Sequence, residues 1–279
     1  MKIRTLDHVL ESIPTADGAG VKLRRSLGSQ RGVHVDPFLM LDEFYSDDPD
    51  DYIAGFPAHP HRGFETVTYM LDGHMRHEDH LGNRGDLGPG DVQWMTAARG
   101  IIHSEMPQQR AGRMRGFQLW LNLPSREKMK PAGYRDIQPE EIPVVKLSGG
   151  GTAKVIAGTL DGKAGPVQGG STDPAYWDIT LPPGKTFSQE MKKDQSIYIY
   201  PFEGSVEIVD RVLKAHQGGV LGAGDALEIK GGADGARFLV LAAKPIREPV
   251  VQYGPFVMNT REEIEQAIRD YQNGELTEA

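Results

Sequence analysis

Apolar residues in this chain recur at every second position, and that period constrains the fold more than any other feature. In Phe117-Gln118-Leu119-Trp120-Leu121-Asn122-Leu123 the odd positions are all apolar, as in a strand with one face on a core. Trp177, Ile179 and Leu181 repeat the pattern, as do Val206 and Ile208. Turn signals separate such runs, among them Leu71-Asp72-Gly73, Gly82-Asn83 and Gly88-Pro89-Gly90-Asp91. The 34 glycines and 19 prolines are scattered along the chain, which suits many short strands joined by turns. The spacing predicts an all-β sandwich or barrel.

One helix interrupts this pattern, near the C-terminus. Thr260 and Glu263 have the form of a capping box, and Ile264, Ala267, Ile268 and Tyr271 then fall on one helical stripe before Gly274. A repeat is also visible. Leu87-Gly88-Pro89-Gly90-Asp91 returns as Leu221-Gly222-Ala223-Gly224-Asp225, about half the chain later. Two copies of one β unit explain it economically. The joint is expected between Pro124 and Pro143, where periodicity fades, so the domains are predicted as residues 1–130 and 131–279, the second carrying the helix.

Composition removes several chemistries. The chain has no cysteine, which excludes disulfides, thiolate zinc sites, cysteine-ligated iron–sulfur clusters and cysteine nucleophiles. A metal here must be held by nitrogen and oxygen. A net charge of −8 argues against direct binding of nucleic acid. The N-terminus lacks a signal-like apolar run, and no later stretch reaches the ~18 apolar residues of a membrane span. A soluble, cytoplasmic chain with no membrane partner is therefore expected.

Eight of the nine histidines lie at or before His103. Two clusters stand out, His59-Pro60-His61-Arg62-Gly63-Phe64-Glu65 and His103-Ser104-Glu105. Residues i and i+2 of a strand share a face, so His59 projects with His61, and His103 with Glu105. Glu65 has the parity of His61, and so do Val67, Tyr69 and Leu71, which predicts a ligand face running on into an apolar wall. The segment between His61 and His103 has room for two or three strands, enough to cross a barrel. Three imidazoles with one or two carboxylates suit Fe(II), Mn, Ni, Cu or Zn. His74, His77 and His80 are expected to be solvated on a loop or edge strand. Arg84-Gly85-Asp86 is expected to be a turn, and Trp94 and Trp120 core aromatics.

Several segments resemble the pirin family of the cupin superfamily. The strongest are His59-Pro60-His61-Arg62-Gly63-Phe64-Glu65-Thr66, Gly90-Asp91-Val92-Gln93-Trp94-Met95-Thr96-Ala97 and Gly100-Ile101-Ile102-His103-Ser104-Glu105-Met106-Pro107. Arg25-Ser26-Leu27-Gly28, Pro37-Phe38-Leu39-Met40-Leu41-Asp42-Glu43-Phe44 and Tyr253-Gly254-Pro255-Phe256-Val257-Met258-Asn259-Thr260 extend the likeness over nearly the whole chain. The resemblance implies a bicupin, with two antiparallel jelly-roll barrels facing each other and metal only in the N-terminal one. The second half agrees, because Pro183–Glu190 stands where a cupin would place His-x-His and no histidine follows Asp225.

By the same resemblance, His59, His61, His103 and Glu105 bind one divalent metal ion, Fe(II) in the family's usual assignment. The wider cupin pattern places a ligand glutamate at the position of Glu65, and both carboxylates are present here. The implied activity is that of a quercetin 2,3-dioxygenase, an oxidoreductase that cleaves a flavonol with O2 and releases carbon monoxide. Glu105 or Glu65 would be its catalytic base. The rival implication is a non-catalytic, metal-dependent, redox-sensing regulator that binds a protein partner.

Overall fold

A computed structural model describes residues 1–28 and 33–278. Strands dominate, and a single α-helix is found among the described residues. No helix among them is long and apolar enough to cross a membrane. The all-β expectation holds, but the strands form open sheets in a jelly-roll sandwich and not closed barrels.

The chain divides into two compact units, and compactness groups it differently from a single cut after residue 130. One unit contains Met1–Ile13, Ser26–Pro37 and Glu140–Pro245; the other contains Pro14–Arg25, Phe38–Pro139 and Ile246–Ala279. The exchange of segments has a backbone cause. Strand Leu6–Glu11 pairs antiparallel with Gln217–Leu221, so the N-terminus completes a sheet made mainly by the second half.

In that first unit a nine-stranded sheet is organised around two long strands, Ser196–Ile208 and Ala226–Ala243. Irregularities between Pro201 and Glu203 and between Gly204 and Val206 let one strand bend as it runs along the other. Its interior is filled by apolar side chains, including Val155, Trp177, Ile179, Phe187, Ile199 and Phe238.

The second unit has a seven-stranded and a four-stranded sheet. Val21, Leu23, Phe44 and Met70 of the larger sheet pack with Met75 and Leu87 of the smaller one. The alternation at 117–123 is realised in strand Met114–Asn122, where Phe117, Leu119 and Leu121 are buried. Both copies of the repeated motif occupy the same kind of place. Leu87 ends one strand and Val92 begins the next, as Leu221 and Ala226 do in the other unit. The aspartates tie these turns: Asp91 accepts from the Gly88 amide at 2.6 Å, and Asp225 from the Lys2 amide at 2.5 Å.

The helix spans Arg261–Asn273 with both halves of the capping box formed and Gly274 in the left-handed region. It packs in the second unit, where Ile264 and Ala267 meet Phe256, Met258 and Ile102. Arg62 pins it. The buried guanidinium donates to the Asp270 carboxylate at 2.5 Å, to the Leu276 carbonyl at 3.1 Å and to the Arg99 carbonyl. Burial pushes the Asp270 carboxyl up, but the bonds from Arg62 and Gln266 outweigh it and hold it below the usual carboxylate range.

A depressed carboxylate contributes stability that is present above its unfolded pKa and lost as pH falls through the folded one. Asp270→Asn is therefore expected to cost about 3 kcal/mol at pH 7, because a buried guanidinium loses its counter-charge. That difference is expected to shrink as pH drops below about 4, where the unfolded carboxyl takes up its proton, and to vanish only at the lower pH that protonates the native carboxyl as well. Urea unfolding of both proteins across pH 2.5–7 measures it; a pH-independent difference would contradict the ion pair as its origin.

Candidate metal centre

His59 and His61 lie on strand Phe56–His61, and His103 lies on Ile101–Pro107. The two strands are antiparallel neighbours, with His103 directly opposite His59. The segment between them builds four strands instead of the two or three expected, and the chain returns beside its starting strand. The side-chain alternation works as anticipated. Ile102 turns to the helix cluster, while His103 turns inward.

The nitrogens of His59, His61 and His103 that face one another all lie within 4.8 Å. The Nε2 atoms of His59 and His61 are 3.0 Å apart. Two nitrogens held at a right angle, each about 2.1 Å from one ion, stand about 3.0 Å apart, so this spacing suits a shared metal. The far sides of two rings are already oriented. His59 Nδ1 lies 2.8 Å from the Pro57 carbonyl, and His103 Nδ1 lies 3.2 Å from His77 Nδ1. Both contacts turn Nε2 toward the centre. His103 Nε2 is buried with no hydrogen-bond partner, a costly state for a polar atom unless a ligand takes its lone pair. Burial, together with the neighbouring imidazoles, pushes His61 and His103 well below the ordinary histidine range and favours the neutral form that a metal ligand requires. The triad can hold a metal ion.

The two carboxylates are placed differently. Glu105 is buried and lines the same cavity as His59 and His61. Its Oε1 lies 3.0 Å from the Thr68 hydroxyl, and its Oε2 accepts from Gln118 Nε2 at 3.4 Å. Glu65 lies elsewhere: it accepts from Thr96 Oγ1 at 2.6 Å and is not part of the cavity wall. Burial pushes its carboxyl up, against the hydrogen bonds from Thr96 and Trp94.

The parity argument that joined Glu65 to His61 fails at Gly63. There the backbone takes φ +96°, and the chain leaves the four-stranded sheet for the seven-stranded one, so alternation does not carry across. Val67 and Tyr69 are consequently core residues, and the predicted wall of Val67, Tyr69 and Leu71 is not the one that lines the cavity. Thr68, from the opposite face of that strand, lines it instead.

That cavity encloses about 640 Å³. Leu23, Met40, Phe44, Met75 and Trp120 supply apolar walls. Trp120 thus does more than fill core: its ring centre is 5.2 Å from that of His61 and 4.3 Å from that of Phe64. Arg25 and Asp42 add one paired charge to the wall, with Arg25 Nε and Nη2 donating to the two Asp42 oxygens at 2.9 and 2.7 Å.

Sequence reasoning missed His77, Thr68 and Gln118. His77 is fully buried within strand Met75–Asp79, whereas His74 and His80 are exposed as expected. A usable signal was present, because Met75 and His77 alternate with Arg76 and Glu78. Thr68 and Gln118 carry no comparable mark. They pair across neighbouring strands, which only the register reveals.

Fold and site together define a bicupin whose histidine triad can hold a metal ion. Residues 20–121 match the pirin family model, and residues 176–277 match that of the pirin C-terminal cupin domain. The chain belongs to the pirin family. It is 55% identical over 276 residues to a Pseudomonas aeruginosa protein named "Putative quercetin 2,3-dioxygenase", with 94% of each chain covered. It is 44% identical over 264 residues to human pirin, covering 92% of this chain and 89% of that one. Its structure is similar to a crystal structure of quercetin 2,3-dioxygenase from Acinetobacter baumannii, with a TM-score of 0.91, 32% identity and 98% of both chains covered.

Metal stoichiometry checks the centre directly. Elemental analysis after reconstitution and desalting is expected to find about one ion per chain, and His61→Ala and His103→Ala are each expected to retain less than about a tenth of it. Full retention by either variant would place the ion elsewhere.

Proposed function

We propose that this chain is a metal-dependent dioxygenase of the pirin type, which cleaves a flavonol such as quercetin with O2 and releases carbon monoxide. The observation that carries the reading is a three-histidine group, two of whose members line, with the buried Glu105, a cavity with apolar side chains in its walls and large enough for a flat polyphenol. Catalysed flavonol cleavage needs these elements together: an electrophilic centre, a base and a dry site. The names carried by similar proteins support the same activity.

His59, His61 and His103 would hold the ion, with Glu105 as a fourth ligand. Fe(II) is the proposed metal, with Mn, Ni, Cu and Zn as the ions to compare. When bound, the metal supplies Lewis acidity that makes the flavonol hydroxyl easier to deprotonate. Glu105 receives that proton, as the carboxylate within the cavity wall nearest the histidines in sequence and strand register. Thr68 and Gln118 hold its oxygens in place. Met40, Phe44 and Trp120 bind the aromatic faces and exclude water, which strengthens each electrostatic contact within. Glu65, bonded to Thr96 outside the cavity wall, is not assigned the base. A cytoplasmic location belongs to the same proposal.

The test is anaerobic reconstitution with each ion, followed by quercetin, O2 and carbon monoxide detection. Metal-dependent carbon monoxide release is expected, falling at least ~100-fold in Glu105→Gln and little in Glu65→Gln. Unchanged turnover in Glu105→Gln would remove it as the base. Tight metal binding with no turnover of any flavonol would turn the reading toward the regulatory protein that binds a partner.

A further inference from the structure

His77 is a fully buried histidine that the flavonol chemistry does not use. It lies opposite Glu105 on one neighbouring strand and opposite Gly85 on the other. Its ring stacks on Tyr134, with centres 5.1 Å apart and planes 18° from parallel. Tyr134 in turn donates its hydroxyl proton to Asp136, whose other oxygen accepts from Gln93 Nε2 at 3.1 Å. Gly85 belongs to a strand and not to the expected turn, and its lack of a side chain makes this arrangement fit. A Cβ there would lie 2.2 Å from Tyr134 Oη and 2.4 Å from Asp136 Oδ2. His77 is thus held in orientation by its stack on Tyr134.

The stacked ring presents Nδ1 to His103 Nδ1 at 3.2 Å. Two facing ring nitrogens share one proton, so one must donate and the other accept. A neutral imidazole that gives its Nε2 lone pair to a metal carries its proton on Nδ1. His103 is then the donor, and His77 must keep Nδ1 bare and its own proton on Nε2, a buried atom with no hydrogen-bond partner, so the bond to His103 has to offset that cost. The contrast with His59 is informative. There the partner is the Pro57 carbonyl, which can only accept. At His103 the partner is an imidazole, whose tautomer has to be chosen.

We propose that His77 is a positioning residue of the metal centre: its Nδ1 accepts the Nδ1–H of His103 and thereby commits His103 Nε2 to the ion. The tautomers of the two rings are coupled, and Tyr134, Asp136 and Gly85 hold the accepting ring in place. The inference rests on the triad binding metal and not on the flavonol reaction, so a protein that binds ions and leaves quercetin untouched would still satisfy it.

Zinc(II), a diamagnetic probe, tests it without turnover. Long-range proton–nitrogen NMR of the zinc-loaded protein is expected to show His103 protonated on Nδ1 and His77 on Nε2. A proton on Nδ1 of His77 would overturn the proposal. Chelator-competition titration gives the second readout. His77→Phe keeps the stack on Tyr134 but lacks the acceptor, and is expected to weaken zinc binding by about 10–100-fold. His77→Asn restores an acceptor and is expected to recover most of that loss. Equal weakening in both variants, or unchanged affinity in His77→Phe, would refute the role. No zinc uptake by the unmodified protein would refute the metal centre itself, a result distinct from either.

Discussion

The pairing of strand Phe56–His61 with strand Ile101–Pro107 is the interaction on which the rest of the site depends. It sets His103 opposite His59, and alternation within the first strand brings in His61, while Glu105 follows beyond an irregularity in the pairing and lines the adjoining cavity. His61 and His103 are buried and His59 is half-buried beside them, and burial disfavours the charged form of the first two. His103 Nε2 has no hydrogen-bond partner, and a metal ion held among the three rings can take its lone pair. The cost of burying polar groups here is therefore what makes the centre specific.

A strand that carries ligands on one face needs support on the other. Ile102 provides it by packing into the cluster of Phe256, Met258, Ile264 and Ala267, so the C-terminal helix backs the strand that carries His103. Arg62, next in sequence to His61, ties the same helix through Asp270. A segment more than 150 residues away in sequence thus braces the ligand strands. The function of the helix lies in where it docks, and its own amphipathic stripe does not reveal that.

The two units show how little separates a polar-lined cavity from a core. Both contain the same Gly-x-Gly-Asp turn between strands, with an aspartate bonded to a backbone amide. In one, the interior is closed by Trp177, Phe187 and Phe238. In the other, Thr68, Gln118, Glu105, His59 and His61 keep polar groups around an open volume. A polar lining prevents collapse because each buried group requires a partner, whereas apolar side chains gain by filling space.

Local patterns were readable from the chain alone. Period-two alternation announced the strands, the capping box placed the helix to the residue, and the two short clusters identified the triad. Each depends on neighbours within a few residues, where backbone geometry fixes direction. Readings that had to pass through a break in that geometry failed. Gly63 ends the parity that was to join Glu65 to His61, and His77, expected to be solvated on a loop or edge strand, is buried in an inner strand where it alternates with Arg76.

What the sequence by itself determined, then, is which residues are chemically able to form the centre and which side of each strand they occupy. Tertiary structure alone decided that Glu105 shares the cavity while Glu65 bonds to Thr96, and that His77 reaches His103. It also decided that the N-terminal strand completes a sheet made mainly by the second half of the chain. The reason is physical: side-chain direction is set locally by φ and ψ, whereas strand order and register depend on hydrogen bonds between segments far apart in the chain.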